Sequence, residues 1–178
     1  MTEDVWLACP NPDRMLEYLG GTASERKLRL FAYGCCRRVW HLLTDADSRA
    51  AAEAAERFAD GLERKGQLAS VRSRARRVTF VQRGAAYIAW RAAFEKLRSV
   101  IGSIALGTVY NAAAHPGGGW SDYSDIEKES VAVASLVRDI FGNPFRPVAF
   151  DAAWRSDTAV SLAKHIYESR DFSAMPIL

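Results

Sequence analysis

With 178 residues, of which 49% are hydrophobic and 25% charged, the chain has the composition of a folded globular domain, which excludes an intrinsically disordered protein. No apolar run reaches the ~18 residues that a membrane-spanning helix needs, and the acidic start at residues 1–4 does not resemble a signal peptide. We therefore expect a cytoplasmic protein without a membrane partner, folded as one domain over residues 1–178. The net charge of +3 is low for a dedicated nucleic-acid binder, and the preference for arginine over lysine is typical of a GC-rich genome.

The first helix is predicted from its end signals. Asn11 is a favourable N-cap, Pro12 suits the first helical position, and Gly20-Gly21 ends the pattern. Thr22 and Glu25 then form a capping-box pattern, which predicts a second helix that continues to about residue 43. Its apolar stripe has the spacing of one helical face and consists of Leu28, Phe31, Cys35, Val39 and Leu42.

The middle of the chain is predicted to be almost entirely helical. Asp45 or Asp47 begins a third helix that carries several alanines, and Gly66 interrupts the pattern. Residues 67–114 then contain no proline and keep a helical apolar period. They predict either two helices with a break near Gly84 or one long bent helix.

The last third begins with a glycine-rich loop, residues 115–123. Ser124 and Glu127 form a second capping box, and Gly142 followed by Pro144 ends that helix. A short turn at residues 151–155 and a last helix over residues 157–170 follow. The sequence therefore predicts an all-α, single-domain bundle of about six or seven helices with a long or broken central helix and no sheet.

The adjacent cysteines Cys35 and Cys36, with His41 a few residues on, are the weak candidates for a metal site. Adjacent residues on a helix point about 100° apart, and a structural zinc site needs four ligands. Both cysteines also lie on the apolar stripe, where a free thiol packs as a small hydrophobic group. We therefore favour a packing role and predict neither a metal nor a cofactor.

A run of arginines at residues 72–83 is the candidate nucleic-acid interface. Arg72, Arg76 and Arg83 share one side of a helix, with Arg77 nearby, and could follow a phosphate backbone. The alternative is a solvated helix face that pairs partly with acidic residues of the preceding helix. The low net charge and the lack of a helix-turn-helix signature favour this second interpretation.

The glycine-rich loop is the candidate small-molecule site. His115, Trp120 and Tyr123 place an imidazole and two aromatic rings beside three consecutive glycines, which allow a close approach of a ligand. The loop lacks the Gly-Lys-Ser/Thr ending of a phosphate-binding loop, and no catalytic motif occurs in the chain. A plain connector explains these residues as well.

Several segments resemble an uncharacterised family of bacterial proteins that occur in many copies in large planctomycete-type genomes. They are residues 15–19, residues 24–43 (SERKLRLFAYGCCRRVWHLL), residues 136–148 (LVRDIFGNPFRPV) and residues 162–168. The family has no function to carry over. Its members often have a third cysteine where this chain has Tyr33, a departure that weakens a metal site further. Relatives tend to continue past the final Pro-Ile-Leu, which implies a truncated C-terminus.

The sequence is compatible with three functions. We favour a non-enzymatic interaction or scaffolding module with a protein partner, which predicts an exposed apolar patch near Ile177 and Leu178 or near Trp6. The alternatives are a nucleic-acid-binding protein that uses the arginine-rich helix and a small-molecule enzyme with its site at the glycine-rich loop.

Overall fold

The computed structural model describes residues 1–81, 84–114, 123–147, 151–169, 171 and 173. The chain divides into two compact units, residues 1–145 and residues 146–178. The described residues form nine α-helices and two short 3₁₀ turns, with no strand among them, which confirms the all-α prediction. Whether the whole chain is a single domain stays a prediction.

The first four helices begin at side-chain caps. They are α1 (Glu3–Ala8), α2 (Pro12–Leu19), α3 (Glu25–Arg38) and α4 (Ala46–Ala59). Asn11 accepts from the Arg14 N–H at 3.1 Å and Asp45 accepts from the Ser48 N–H at 2.7 Å, which confirms both N-caps. The Thr22 cap is wrong: Ser24 accepts from the Lys27 N–H instead, while the Thr22 hydroxyl donates to the Leu19 carbonyl.

The predicted central helix is broken twice rather than once. Its parts are α5 (Lys65–Val81), α6 (Ala85–Ala92) and α7 (Ile101–Ala112). The first break is at Gly84, as expected, whose φ of +92° favours glycine. The second break, between α6 and α7, and the short helix α1 raise the number of helices above the predicted six or seven. Gly66 lies inside α5 and does not interrupt a helix.

The last helices follow the predicted boundaries closely. In the first unit, α8 (Tyr123–Phe141) ends at Gly142, whose φ of +76° and N–H bond to the Arg138 carbonyl form the expected C-cap. Because α8 begins at Tyr123, Ser124 lies inside it and is not its N-cap. The second unit contains a 3₁₀ turn (Ala152–Trp154) and α9 (Asp157–Ser169).

The core of the first unit surrounds α3. This helix packs against α4, α6, α7 and α8, while α2 packs against α7 and α8, and α5 packs against α4 and α6. The predicted stripe of α3 is buried at Leu28, Phe31, Cys35 and Val39, but Leu42 is exposed. Trp6 is fully buried, but apolar side chains are exposed on both sides of it, since Val5 is 45% and Leu7 53% exposed. Ile177 and Leu178, the other predicted position of an exposed apolar patch, lie outside the described residues.

Cationic side chains hold the ends of several helices. Each donates to backbone carbonyls at a C-terminus, where the last four carbonyls of a helix lack partners and carry partial negative charge. Arg138 donates to the Cys9 carbonyl at the end of α1, and Arg98 donates to the Gly20 carbonyl at the end of α2. Arg49 and Lys27 do the same for the 3₁₀ turn Trp40–Leu42 and for α8.

The most buried of these cations is Arg29. Its side chain is only 2% exposed, and its guanidinium donates to the carbonyls of Ala92 at 3.4 Å, Phe94 at 2.8 Å and Glu95 at 2.9 Å. It also lies over the ring of Phe58, at 4.7 Å from the ring centroid. Arg29 thus fixes the second break in the central segment by satisfying the carbonyls where α6 ends.

Candidate binding groove

A groove runs along the seam between α2 and α7, two helices that pack directly against each other. It encloses about 570 Å³, within the range of ligand-binding clefts. We refer to it as the α2–α7 groove. Its apolar walls come from α2, α3, α7 and the loop that precedes α3, and they consist of Leu16, Leu19, Ala23, Leu28, Ile101 and Leu106.

A smaller concavity of about 170 Å³, which we call the side pocket, adjoins this groove. Asp13 and Leu106 line both, so the two concavities meet at these residues. Tyr110 and Ile126 contribute apolar surface to the side pocket. Leu106 is 47% exposed, so the junction presents an apolar side chain to solvent.

The acidic end of the groove is formed by α2. Asp13 lies in the first turn of this helix, and its Oδ1 atom is buried without a hydrogen-bond donor among the described residues. A Cβ built on Gly102 would lie 3.5 Å from this oxygen, which shows how closely α7 approaches the carboxyl group. Burial, and secondarily the nearby Glu17 carboxylate, raises the pKa of Asp13.

The polar groups elsewhere in the groove are already bonded. Arg98 donates to the carbonyls of Gly20 and Ala23, the latter at 2.8 Å. The Ser103 hydroxyl donates to the Val100 carbonyl at 2.6 Å and accepts from Arg91 at 2.7 Å. At the acidic end, by contrast, the buried Oδ1 atom of Asp13 has no hydrogen-bond partner among the described residues.

The cysteine candidates lie in the core. Cys35 and Cys36 are free and fully buried, and burial raises the pKa of both thiols, that of Cys35 to about 12. His41 lies in the exposed 3₁₀ turn that follows α3. Among the described residues, no group of three histidine, cysteine or acidic side chains is arranged to hold a metal ion. This placement fits the predicted packing role of the two thiols.

The arginine-rich candidates separate into different environments on α5. Arg72 lies over the ring of Phe94, at 5.1 Å from its centroid. Arg76 and Arg77 are exposed and have no ion-pair partner in the part of the chain that the structure describes. Arg83 lies outside the described residues. Partial pairing with the preceding helix does occur, but at Arg74, which binds Asp47 of α4 at 3.0 Å.

The loop candidates are described only at their last residue. His115 and Trp120 lie outside the described residues. Tyr123 is the first residue of α8 and is 79% exposed. The structure therefore assembles no small-molecule site around Tyr123 from the residues it describes.

Sequence reasoning missed the α2–α7 groove, although two signals for it were present. Asp13 and Glu17 are like charges one helical turn apart, an arrangement that costs stability unless a cation is near. The residues of α7 include no charged side chain at all, which is unusual for a helix with an exposed edge. The sequence does not show that these two features face each other.

Comparisons with protein-family models, with curated proteins and with solved structures find no match to this chain. No described helix has the length and apolar character needed to cross a membrane. The fold and the groove place the chain in the broad class of all-α proteins with a surface cleft between helices.

Proposed function

We propose that the chain is a non-enzymatic helical interaction module, and that it binds an extended segment of a partner protein in the α2–α7 groove. The observation that carries this proposal is the adjacency of the groove and the side pocket, which share Asp13 and Leu106 as lining residues. Two adjoining concavities along one helix seam suit a chain that places successive side chains into them. Recognition of a segment by a groove between helices is a common mode of peptide binding.

The chemistry of the lining supports binding rather than catalysis. Neither concavity is lined by a histidine or a cysteine. Ser103, the one serine in the larger groove, already donates its hydroxyl proton to a backbone carbonyl. The residues that line the two concavities therefore include no histidine to act as a general base for Ser103 and no cysteine nucleophile.

The proposal can be tested with a displayed library of random peptides, sorted on the full-length protein. The key variant is Leu106→Gln, which places a neutral polar group at the junction of the two concavities. We expect the sort to enrich peptides whose affinity falls about tenfold in this variant, because burying an unpaired amide against apolar side chains costs about 1–3 kcal/mol.

The matched control is Leu62→Gln, because Leu62 is 73% exposed and does not line the groove. This variant should bind the enriched peptides as the wild type does. Circular dichroism should show that both variants fold. The proposal fails if no peptide is enriched, or if the enriched peptides bind Leu106→Gln and wild type equally.

A second candidate function is supported by one specific observation on α5. Arg76 and Arg77 are exposed without an acidic partner among the described residues, and Phe80, one turn later, is 75% exposed. Two free cations beside an exposed aromatic ring suit single-stranded nucleic acid, through phosphate contacts and base stacking.

This alternative predicts a salt-dependent affinity for short single-stranded oligonucleotides in fluorescence anisotropy. Loss of two phosphate contacts in the double variant Arg76→Ala with Arg77→Ala should reduce the slope of log affinity against log salt by about 1.4. Phe80→Ala should weaken binding without changing that slope. If wild-type protein shows no binding at low salt, the nucleic-acid function is excluded.

A further inference from the structure

The Asp13 carboxyl group has no cation or hydrogen-bond donor beside its buried Oδ1 atom among the described residues. Its Oδ1 atom is buried beside Gly102 of α7 and accepts no hydrogen bond from the described residues, while the residue as a whole is partly exposed and lines the groove. Burial, and secondarily the Glu17 carboxylate, raises the pKa of Asp13. A desolvated carboxylate is stabilised by a cation or by hydrogen-bond donors. Neither is supplied to Oδ1 by the elements that form the groove.

Charged side chains are scarce on the elements that face Asp13. The facing helix α7 carries no charged residue, and the α8 residues that line the side pocket are Ile126 and Ser130. Arg98 precedes α7 and lines the groove, but its guanidinium is engaged by the carbonyls of Gly20 and Ala23. The acidic end of the groove is therefore negative, and it adjoins apolar walls.

Apolar walls beside a carboxylate match the two parts of a lysine or arginine side chain. The aliphatic stem of such a residue packs on apolar surface, while its charged end reaches a polar group. Leu16 and Leu106 would contact the stem, because both line the groove in which Asp13 and Glu17 lie. A neutral or acidic side chain would leave the Asp13 carboxylate without compensation.

We propose that Asp13, assisted by Glu17, makes the α2–α7 groove selective for a partner segment that inserts a lysine or arginine side chain flanked by apolar residues. This inference rests on the proposed function, since it concerns the occupant of the same groove. Asp13 acts here as a specificity-determining residue, and the apolar walls supply the remaining affinity.

The test sorts one random-peptide library in parallel on the wild-type protein and on the double variant Asp13→Asn with Glu17→Gln. Wild type should enrich a lysine or arginine at one position between apolar residues. The double variant should keep the apolar preference and lose the cationic one. Glu53→Gln is the matched control, because it removes an exposed carboxylate of α4 that does not line the groove and should behave as wild type.

A double-mutant cycle on the best wild-type peptide measures the contact itself. Replacing its cationic residue with norleucine keeps an aliphatic stem and should weaken binding to the wild type about tenfold, the loss expected for a charge-assisted hydrogen bond. The same replacement should change binding to the double variant Asp13→Asn with Glu17→Gln by less than about twofold, because both carboxylates are already absent.

The outcomes separate this inference from the function on which it rests. If the sort enriches peptides that bind the α2–α7 groove but shows no preference for lysine or arginine, the inference is wrong and the proposed function as an interaction module is retained. A cationic preference that persists in the Asp13→Asn and Glu17→Gln variant would also overturn the inference. The absence of any peptide sensitive to Leu106→Gln would overturn both.

Discussion

Replacing Arg29 with methionine tests whether a buried arginine holds the break between α6 and α7. Methionine retains most of the stem volume and removes the guanidinium. Three backbone carbonyls, those of Ala92, Phe94 and Glu95, then lose their donor. Burial lowers the pKa of Arg29, so the substitution also relieves the cost of keeping this charge away from water.

The magnitude follows from these opposing effects. A buried carbonyl left without a donor costs about 1–3 kcal/mol, and two of the three bonds are shorter than 3.0 Å. Allowing for relief of the desolvated charge, we expect a net loss of about 3 kcal/mol in the free energy of unfolding. For a chain of this size, that loss lowers the melting temperature by about 6–12 °C.

Thermal unfolding followed by circular dichroism at 222 nm measures this loss. Arg29→Lys should lie between wild type and Arg29→Met, because an ammonium keeps the charge but not the planar fork of donors. Arg26→Met is the control on the same helix: Arg26 is exposed and its pair with Asp60 contributes less than about 1 kcal/mol. Equal melting temperatures for Arg29→Met and Arg26→Met would refute the role assigned to Arg29.

Three further predictions concern the core, a break and the groove. Cys35 and Cys36 should resist alkylation at neutral pH until the protein unfolds, since burial raises both thiol pKa values; peptide-level mass spectrometry showing rapid labelling of the native protein would contradict this. Gly84→Ala should cost about 2 kcal/mol or more in urea unfolding, because φ is +92° and a Cβ would overlap a neighbouring side chain, whereas Gly66→Ala, with open space around it, should gain about 0.5 kcal/mol. Because the pKa of Asp13 is raised in the folded state, this group should make the free energy of unfolding increase as the pH falls from neutral towards the ordinary carboxyl range; a wild-type pH profile identical to that of Asp13→Asn would exclude this contribution.

Local signals in the sequence predicted much of the fold. The caps at Asn11 and Asp45, the apolar stripe of α3 and the Gly142 stop depend on residues a few positions apart, so they can be recognised without tertiary information. The second break in the central segment could not be found this way. The carbonyls where α6 ends are satisfied by Arg29, which is more than sixty residues earlier in the chain.

The same reason explains why the contacts of individual buried arginines could not be predicted. Arg29, Arg98 and Arg138 each donate to carbonyls at the end of a distant helix, and such pairings have no local pattern. Arg29 falls among polar residues of α3, where an exposed position is the ordinary expectation. Its burial is decided by the neighbouring helices rather than by its own helix.

The candidate site was less predictable than the fold. A groove is a property of two helices and the space between them, and the α2–α7 groove joins residues about ninety positions apart in the chain. The composition of each helix gave a hint, namely the paired carboxylates Asp13 and Glu17 on one and the lack of charge on the other. Their juxtaposition became visible only in the folded chain.

The most direct test of the central claim is to locate a bound peptide on the ¹⁵N-labelled protein by amide chemical shifts. Titration with the tightest peptide from the wild-type sort should shift the amides of Gly20, Gly102 and Leu106 most strongly, since all three residues line the groove. The proposed function would be contradicted if the largest shifts occurred at the amides of Arg76 and Phe80 on α5 while the amides of the α2–α7 groove did not shift.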